Sequence, residues 1–533
     1  MKIRNSLTGA YGLRSSIHDC VVALILAVAA FTLVGASVAR ADDACPKYGG
    51  TFKTVDISYS NLDPSQVANP QYYMRLLYDG LLDFDHDLNV VPGLAVDLPT
   101  RDGERYVFKL RDDVKFHDGS DFNAEAVKFN VERLIAGEVR SPLTGYWKKQ
   151  LKSVEVIDDH TVAFVPAGEW PTMLWDFASS LRFASPAAVK ELGVDHGLKG
   201  AVGTGPFMFK SFQPKNLMIL ERNPNYYKAG LPCLDGIQAR VIKSGSVRAL
   251  SLIKGDLDMI NTFPETQFPQ FQGSGVIIDE GKSSTLTVLA VNTKNSALAD
   301  LRVRQAIQHA VDGKELIDNV YAGMGEEIAS IFPSWHPAFT LAEELSPVRQ
   351  DVEKAKALLA DAGYGPGGKK LTLQLLTGSG GAHTQRAILL QAQLADIGID
   401  LKVKSVAYAQ VLTDLQAGNY ELILWQMLGG PAIIDYAWNL YGSGGPNNFT
   451  FYNEEGGYQN PRAEELTLEI AKSNEPNEVR AQIIELQDII FNDVPVIFLN
   501  WRNHRTARTP SVKDLETARL KGMEDLRKVW LDR

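Results

Sequence analysis

The fold is decided by residues 78–134, which read YDGLLDFDHDLNVVPGLAVDLPTRDGERYVFKLRDDVKFHDGSDFNAEAVKFNVERL. Residues 105–111 alternate apolar and polar side chains, and this alternation predicts a half-buried strand. Residues 114–120 predict a second strand that ends in an Asp-Gly turn. Asn123 stands at the N-cap position of a helix whose apolar residues recur at helical spacing. The stretch therefore predicts mixed α and β structure joined by short turns.

The length and composition of the chain indicate a soluble protein of several domains. At roughly 150 residues per domain, 533 residues predict about three domains or two large ones. The chain is 45% hydrophobic and 22% charged, which is close to the globular average. Its formal net charge of -10 argues against a nucleic-acid partner, because binding to phosphates needs a basic surface.

The N-terminus predicts export from the cytoplasm. Basic residues precede an apolar segment at residues 21–34, and an A-x-A motif follows at residues 39–41. This order is typical of a secretory signal, here residues 1–41 with cleavage after Ala41. The alternative is an uncleaved membrane anchor, although the apolar run is shorter than the roughly 20 residues that a spanning helix needs.

The cysteines fit an oxidising compartment. Cys20 lies in the predicted signal, so the mature chain keeps only Cys45 and Cys233. An even number of cysteines outside the cytoplasm is typical of disulfide pairing. A disulfide between Cys45 and Cys233 is therefore a hypothesis.

A candidate ligand site lies in residues 420–441, which read YELILWQMLGGPAIIDYAWNLY. The apolar run at its start predicts a buried strand, which breaks at Gly-Gly-Pro. After the break, Asp435 and Trp438 stand among large aromatic residues, a composition typical of a concave small-molecule site. The alternative is an ordinary core strand followed by a surface loop.

Several motifs carry a family resemblance over nearly the whole mature chain. The opening stretch resembles family 5 of the extracytoplasmic solute-binding proteins, which are the peptide and nickel receptors of ABC importers. Five later motifs are similar to that family's segments: VGTGPF at 202–207, RNPNYY at 222–227, GDLD at 255–258, LRVRQAI at 301–307 and LLADAGY at 358–364. The resemblance implies an α/β fold, the two-lobed periplasmic binding protein fold of the type II-like, cluster C group, with an extra domain inserted in the first lobe.

The resemblance also implies a division of the chain. The first lobe is expected to contain residues 45–79, 184–284 and 499–533. The extra domain is expected at 80–183 and the second lobe at 285–498. Periodic strand and helix patterns in the last of these ranges agree with an α/β lobe.

The resemblance implies a ligand wall at Trp425. In peptide-binding relatives an aspartate three positions after this tryptophan pairs with the α-amino group of the peptide, but this chain has Leu428 there. A buried ammonium beside a leucine would lose its partner at a cost of several kcal/mol. Asp435 is the alternative source of a carboxylate. Further ligand contacts are expected by position at Ser58, Tyr59, Tyr146, Leu499 and Asn500.

The implied function is capture of a small solute in the periplasm. A peptide or peptide-like ligand between the lobes would favour a closed form that the ABC permease, with its ATPase, recognises. Amino-acid conjugates, sugars and chelated metals remain alternative ligands. No cofactor and no metal site are expected, and the receptor is expected to be a monomer.

A secreted hydrolase is the alternative from another functional class. The chain lacks a G-x-S-x-G elbow, an H-E-x-x-H motif and a phosphate-binding loop. His117 and Asp118 are adjacent, so on a strand they would face opposite sides and could not act on one substrate. These observations favour a receptor without enzymatic activity; a chaperone-like binder of unfolded chains is a further alternative.

Overall fold

The computed structural model describes most of the chain beyond residue 43. The described residues are 44–56, 60–66, 74–139, 141, 143–168, 170, 172–261, 265–336, 338–339, 349–365, 367–428, 437, 441–442, 448, 457–472, 476–516 and 524–533. The predicted signal peptide lies outside them. Among the described residues, no helix combines the length and apolar character needed to cross a bilayer.

The described part of residues 44–183 contains the first strand, a short hairpin and a four-stranded sheet with helices. In chain order the elements are β1 (Thr51–Asp56), α1 (Met74–Leu77), β2 (Leu82–Phe84), β3 (Val90–Pro92), β4 (Thr100–Asp102), β5 (Arg105–Lys109), α2 (Ala124–Ala136), α3 (Thr144–Gln150), β6 (Leu151–Asp158), β7 (Thr161–Pro166) and α4 (Met173–Ser180). The sheet has the order β4-β5-β7-β6 and is antiparallel throughout.

The next elements include a strand that pairs with β1, and they end with a long strand. They are α5 (Pro186–Leu192), β8 (Phe207–Gln213), β9 (Leu217–Arg222), β10 (Gly236–Val241), α6 (Gly245–Ile253), β11 (Met259–Ile260) and β12 (Ile277–Val291). β1 joins β10 in a second sheet of order β1-β10-β9-β8, in which only the β1–β10 pair is parallel.

The remaining elements build the largest sheet. They are α7 (Ser296–Ala299), α8 (Leu301–Ala310), α9 (Gly313–Val320), β13 (Gly325–Glu326), α10 (Val352–Asp361), β14 (Leu371–Gly378), α11 (Gly381–Ala395), β15 (Ile399–Val406), α12 (Tyr408–Ala417), β16 (Leu422–Leu428), α13 (Pro461–Lys472), α14 (Pro476–Asp493), β17 (Val496–Arg508), β18 (Val512–Lys513) and β19 (Trp530–Leu531). The largest sheet has the order β11-β17-β12-β16-β14-β15, with β13 also paired to β17.

The two longest described strands, β12 and β17, pair with each other in the largest sheet. β12 and β17 pair antiparallel from Ile277↔Arg508 to Ala290↔Val496, with register irregularities between Gly281 and Thr285 and between Thr287 and Val288. The predicted lobe boundaries at 284/285 and 498/499 fall inside these strands. Both predicted boundaries therefore lie in a paired ribbon of irregular register and not in loops.

Local chemistry accounts for the ends of the helices. The side chain of Asn123 accepts a hydrogen bond from the backbone N–H of Ala126 at 2.9 Å, which confirms it as the N-cap of α2. Gly363 follows α10 with φ +86°, a left-handed conformation that favours glycine at this position.

The strand predicted at residues 114–120 is wrong. The backbone N–H of Phe116 donates to the carbonyl of Ser120 at 2.8 Å, and that of Gly119 donates to the carbonyl of Phe116 at 2.9 Å. Because these bonds close locally, the segment is a turn with a single bridge between Lys115 and Asp121.

His117 joins this turn to the Gly-Thr-Gly-Pro segment. Its Nδ1 accepts from the N–H of Gly203 at 3.2 Å, and its Nε2 donates to the carbonyl of Gly205 at 2.9 Å. Burial lowers the pKa of His117 to about 4, so the ring is neutral. A Cβ on Gly203 would lie 2.1 Å from the carbonyl oxygen of Leu77, so this glycine is required by close packing.

Candidate ligand site at the carboxyl edge of the largest sheet

Three strands end side by side in the largest sheet. β14 pairs in parallel with both β15 and β16, so their carboxyl ends meet at one edge. α11 begins three residues after β14, and α12 begins two residues after β15. In open α/β sheets, ligands bind beyond the carboxyl ends of the strands.

A recess of about 40 Å³ lies at this edge. Its lining residues are Gly378, His383, Arg386, Tyr408, Val411, Leu424, Trp425 and Gln426. A recess of this size holds part of a ligand only, because small-molecule sites measure roughly 300–1,000 Å³. The rest of a ligand would need walls from elsewhere.

Aromatic rings form one wall of the recess. The rings of Trp425 and Tyr408 are parallel within 6°, with their centroids 6.4 Å apart. Trp425 is half-buried, whereas Tyr408 is 58% exposed. Because side chains alternate along β16, Trp425 lies on the opposite face from Leu424, which packs in the core under α8, α9 and α11.

The opposite wall is basic. Arg386 of α11 is only 3% exposed. Its Nε donates to the carbonyl of Ala382 at 3.1 Å, and its Nη2 donates to Nδ1 of His383 at 3.0 Å. Since a guanidinium only donates, Nδ1 of His383 is the acceptor, and the ring hydrogen of the neutral tautomer lies on Nε2.

Three polar side chains lie next to each other across the sheet. Thr287 of β12 stands opposite Gln426 of β16 and opposite Asn500 of β17, so all three project from the same face. Among the described residues, Gln426 Nε2, Thr287 Oγ1 and Asn500 Oδ1 have no hydrogen-bond partner. Buried polar atoms without partners are uncommon, so this row is suited to meeting polar atoms of a ligand or water.

The predicted site residues are only partly brought together. Trp425 lines the recess, and Asn500 is fully buried in the polar row. Leu499 is 1% exposed in the apolar core of the largest sheet. Tyr146 lies in α3, where its hydroxyl donates to Oδ2 of Asp176 at 2.6 Å.

Other predicted residues lie outside the described part of the chain. These are Ser58, Tyr59, Asp435 and Trp438, together with the side chain of Leu428. The backbone of Leu428 pairs with Thr285 at the end of β16.

The predicted cysteine pair is joined in the structure. The sulfur atoms of Cys45 and Cys233 form a disulfide, with Cα atoms 5.5 Å apart. The N–H of Gly49 donates to the carbonyl of Cys233 at 2.9 Å, so the N-terminal segment is also held there by its backbone.

Sequence reasoning did not single out four polar or aromatic residues of the recess, although one of them, Gln426, lies in the candidate stretch 420–441. They are His383, Arg386, Tyr408 and Gln426. A signal was present, because Gly378-Ser379-Gly380-Gly381 follows a stretch, residues 371–376, whose alternating pattern predicts a strand, and in α/β sheets ligands bind where strands end.

A family model supports the identification of the chain. The model named "Bacterial extracellular solute-binding proteins, family 5 Middle" matches residues 89–449. The chain belongs to this family. Similar relatives of this solute-binding protein include the glutathione-binding protein GsiB of Pectobacterium atrosepticum, which is 27% identical over 490 residues, 89% of this chain and 92% of the relative.

Solved structures show the same fold. The periplasmic binding protein DppA of Helicobacter pylori, in complex with the peptide STSA, matches with a TM-score of 0.79 and 24% identity over 91% of this chain and 99% of that chain. AgaA from A. tumefaciens R10, in complex with agropinic acid, matches with a TM-score of 0.76 and 24% identity over 91% of this chain and 99% of that chain. This solute-binding protein therefore has the two-lobed α/β fold of the periplasmic binding proteins.

Proposed function

We propose that this protein is the periplasmic receptor of an ABC importer and captures a peptide or peptide-like solute between its two lobes. Family membership and the recess at the carboxyl edge of the largest sheet support this role. The partners are the transmembrane permease subunits with their ATPase. The receptor acts as a monomer after cleavage of residues 1–41.

The proposed division of the chain follows the three larger sheets. The first lobe contains the β1-β10-β9-β8 sheet, the extra domain at 80–183 contains the antiparallel sheet, and the second lobe at 285–498 contains most of the largest sheet. β12 and β17 connect the lobes, and their irregular register supports bending at this point. A ligand that contacts both lobes favours the closed form by its higher affinity for that form.

Contacts across the proposed lobe boundary support a receptor that closes. Trp335, in the second lobe, packs against the apolar core of residues 80–183. Its Nε1 also donates to the carbonyl of Ser283 on β12 at 3.2 Å. Trp335 thus bridges the second lobe, the crossing strand and the extra domain.

His117 and Asp118 are the pair of side chains most suggestive of acid–base catalysis. Both are occupied by structural hydrogen bonds, which supports binding without catalysis. His117 uses both ring nitrogens on the backbone of Gly203 and Gly205. Asp118 accepts from the hydroxyl of Ser185 at 2.5 Å and from that of Ser120 at 2.6 Å. Both side chains therefore join the extra domain to the first lobe or stabilise the turn.

The proposed ligand class rests on what the relatives bind and on one position, residue 428, at which this chain differs from the peptide-binding relatives. Relatives bind glutathione, a peptide and agropinic acid, as their names state. Leu428 replaces the aspartate expected to hold a peptide amine, so the ligand is not anchored there by a free amine. Amino-acid conjugates fit this combination, and Asp435 is the remaining carboxylate for an amine.

The test is identification of the bound solute. Small molecules released from purified protein are identified by mass spectrometry, and binding is then measured by calorimetry with the released solute, glutathione and di- to pentapeptides. Trp425→Ala is expected to weaken binding at least tenfold, whereas Trp530→Phe, in β19, leaves it unchanged. Absence of binding by every released solute and every tested compound contradicts the receptor role. Tight peptide binding that needs the free amine yet survives Asp435→Ala contradicts the proposed anchoring.

A further inference from the structure

The strand β12 bulges at the proposed boundary between the lobes. Its pair Gly281↔His504 is followed directly by the pair Thr285↔Arg502. Three residues of β12, 282–284, therefore stand opposite a single residue of β17. A bulge of this kind bends the strand and interrupts its pairing with the neighbouring strand. Residues 282–284, called the β12 bulge below, are thus a point at which the two lobes can rotate against each other.

The β12 bulge is buried, but it does not satisfy all of its own polar groups. Ser283 and Ser284 are 3% and 0% exposed. The hydroxyl of Ser283 accepts from the N–H of Thr285 at 3.1 Å and bonds with the hydroxyl of Thr285 at 2.8 Å. The hydroxyl of Ser284 has no hydrogen-bond partner among the described residues. Because a buried hydroxyl without a partner is uncommon and unfavourable, contacts from outside the bulge must stabilise this arrangement.

The second lobe supplies such contacts. Nε1 of Trp335 donates to the carbonyl of Ser283 at 3.2 Å. Nζ of Lys282 donates to Oγ of Ser334 at 2.7 Å and lies 3.2 Å from a carboxylate oxygen of Glu326. Two consecutive residues of the bulge are thus attached to the second lobe, one through its backbone and one through its side chain.

Trp335 also contacts the extra domain. Its ring packs against the apolar core of residues 80–183, while its N–H bonds to the bulge. An indole is suited to this double contact, because it has a large apolar body and one polar donor. The extra domain and the bulge both lie on the first-lobe side of the proposed boundary, whereas Trp335 lies on the second-lobe side. Rotation of the lobes about the bulge therefore separates the ring from the extra domain or the N–H from Ser283.

We propose that Trp335 is a latch, which holds the two lobes in the arrangement described here before a solute binds. This proposal rests on the proposed function, because a latch needs lobes that open and close. A solute that binds only the closed form has an apparent affinity that falls with the population of that form. The latch therefore raises the affinity for the solute through the closed population, without a contact to the solute.

The experiment measures distances between domains in protein without solute. Bound solute is removed by unfolding and dialysis before refolding, and spin labels are attached to engineered cysteines, because Cys45 and Cys233 are bonded to each other. The first pair, Ile157→Cys with Ile388→Cys, joins the extra domain to the second lobe. The control pair, Ile157→Cys with Val194→Cys, stays on the first-lobe side. All three positions are exposed, by 48%, 60% and 91% in the order of their mention. Pulsed double electron–electron resonance gives the distance distribution of each pair.

The first pair is expected to show the distance of the described structure as a resolved population in the wild-type background. Trp335→Ala is expected to reduce that population at least threefold and to leave the control pair unchanged. Trp335→Phe keeps an aromatic ring on the extra domain but loses the N–H donor, so an intermediate reduction is expected. Trp530→Phe makes the same exchange in β19, in the first lobe, and is expected to leave both distributions unchanged.

Three results would overturn the latch. They are the absence of the described distance in the wild-type background, an unchanged first pair in Trp335→Ala, and a shift of the control pair in that variant, which would indicate a disturbed first lobe. If Trp335→Ala does not fold, Trp335→Phe decides, and a distribution equal to that of the wild type then overturns the latch. Because no solute is used, loss of the latch leaves the receptor role intact, whereas the calorimetry described above tests the receptor role itself.

Discussion

Arg133 of α2 and Asp63, in the segment after β1, form a buried ion pair across the proposed boundary between the extra domain and the first lobe. Nη1 of Arg133 donates to Oδ1 of Asp63 at 3.1 Å, and Nη2 donates to Oδ2 at 2.5 Å. The two side chains are 6% and 0% exposed. Burial raises the pKa of Asp63, but the nearby imidazole of His196, with Nδ1 3.4 Å from Oδ2, and the guanidinium of Arg133 outweigh this and hold the pKa well below its usual value. Asp63 therefore stays ionised and fixes the segment that follows β1.

Replacement of Arg133 by methionine is expected to lower the free energy of unfolding by about 3–5 kcal/mol, because it leaves a buried carboxylate without its ion-pair partner. Urea unfolding at pH 7 measures the change. Lys128→Met is the control, since Lys128 lies on the same helix, is 36% exposed and, among the described residues, forms an ion pair with Glu132 alone, at 3.9 Å. Its expected effect is within about 0.5 kcal/mol. A loss below about 1 kcal/mol for Arg133→Met would contradict the structural role of the pair.

His117 is expected to make the protein less stable in mild acid. Burial lowers its pKa to about 4 from an ordinary value of 6.5, so the unfolded chain takes up the proton first as the pH falls. Its contribution is present above pH 6.5 and is lost as the pH falls toward 4, by roughly 3 kcal/mol in all. Unfolding measured from pH 7 to pH 4 should show wild-type protein losing more stability than His117→Gln. Exposed His160→Gln is the control, and parallel curves for wild type and His117→Gln would refute the assignment.

The hydroxyl of Tyr146 is expected to contribute to the stability of the folded protein and not to ligand binding. Three donors converge on Oδ2 of Asp176, from Tyr146 at 2.6 Å, Thr172 at 2.7 Å and Trp170 at 2.8 Å. Burial raises the pKa of Asp176 to about 6, so at pH 7 the carboxylate needs these donors. Tyr146→Phe is expected to lower the free energy of unfolding by about 1.5–3 kcal/mol and to change ligand affinity less than threefold.

Tyr106→Phe is the matched control for that change, because Tyr106 is half-buried in the same domain and its hydroxyl makes no hydrogen bond to a described residue. Its expected effect on stability is within about 0.5 kcal/mol. A tenfold loss of ligand affinity in Tyr146→Phe, with stability unchanged, would instead favour a direct hydrogen bond from this hydroxyl to the ligand.

The sequence predicts regular elements well where the pattern is local. The N-cap at Asn123 and the strand beginning at Leu422 each depend on neighbouring residues, and the structure contains both. The strand predicted at residues 114–120 is wrong, because an alternating pattern does not show whether the backbone N–H and carbonyl groups bond within the segment or to a neighbouring strand.

The recess was less accessible to sequence reasoning because its residues come from three separate segments. The family resemblance indicates Trp425. Arg386 and Tyr408 lie on helices whose sequence patterns predict a helix but give no sign of a ligand site. Only the parallel pairing of β14 with β15 and β16 brings these helix starts to one edge. Register across a sheet is not encoded in any local window, so the basic side of the site emerges only from the fold.

A count of thiols tests both the disulfide and the removal of the signal. If residues 1–41 are cleaved and Cys45 is bonded to Cys233, exported protein unfolded without reductant contains no free thiol. A retained signal adds Cys20 and gives one thiol, whereas a cleaved chain without the disulfide gives two. Cys45→Ser combined with Cys233→Ser is expected to lower the free energy of unfolding by about 2–5 kcal/mol, because the bond closes a long loop in the unfolded chain. Full stability of that double variant, or two thiols in the unreduced protein, would show that the pair does not hold the N-terminal segment to the first lobe.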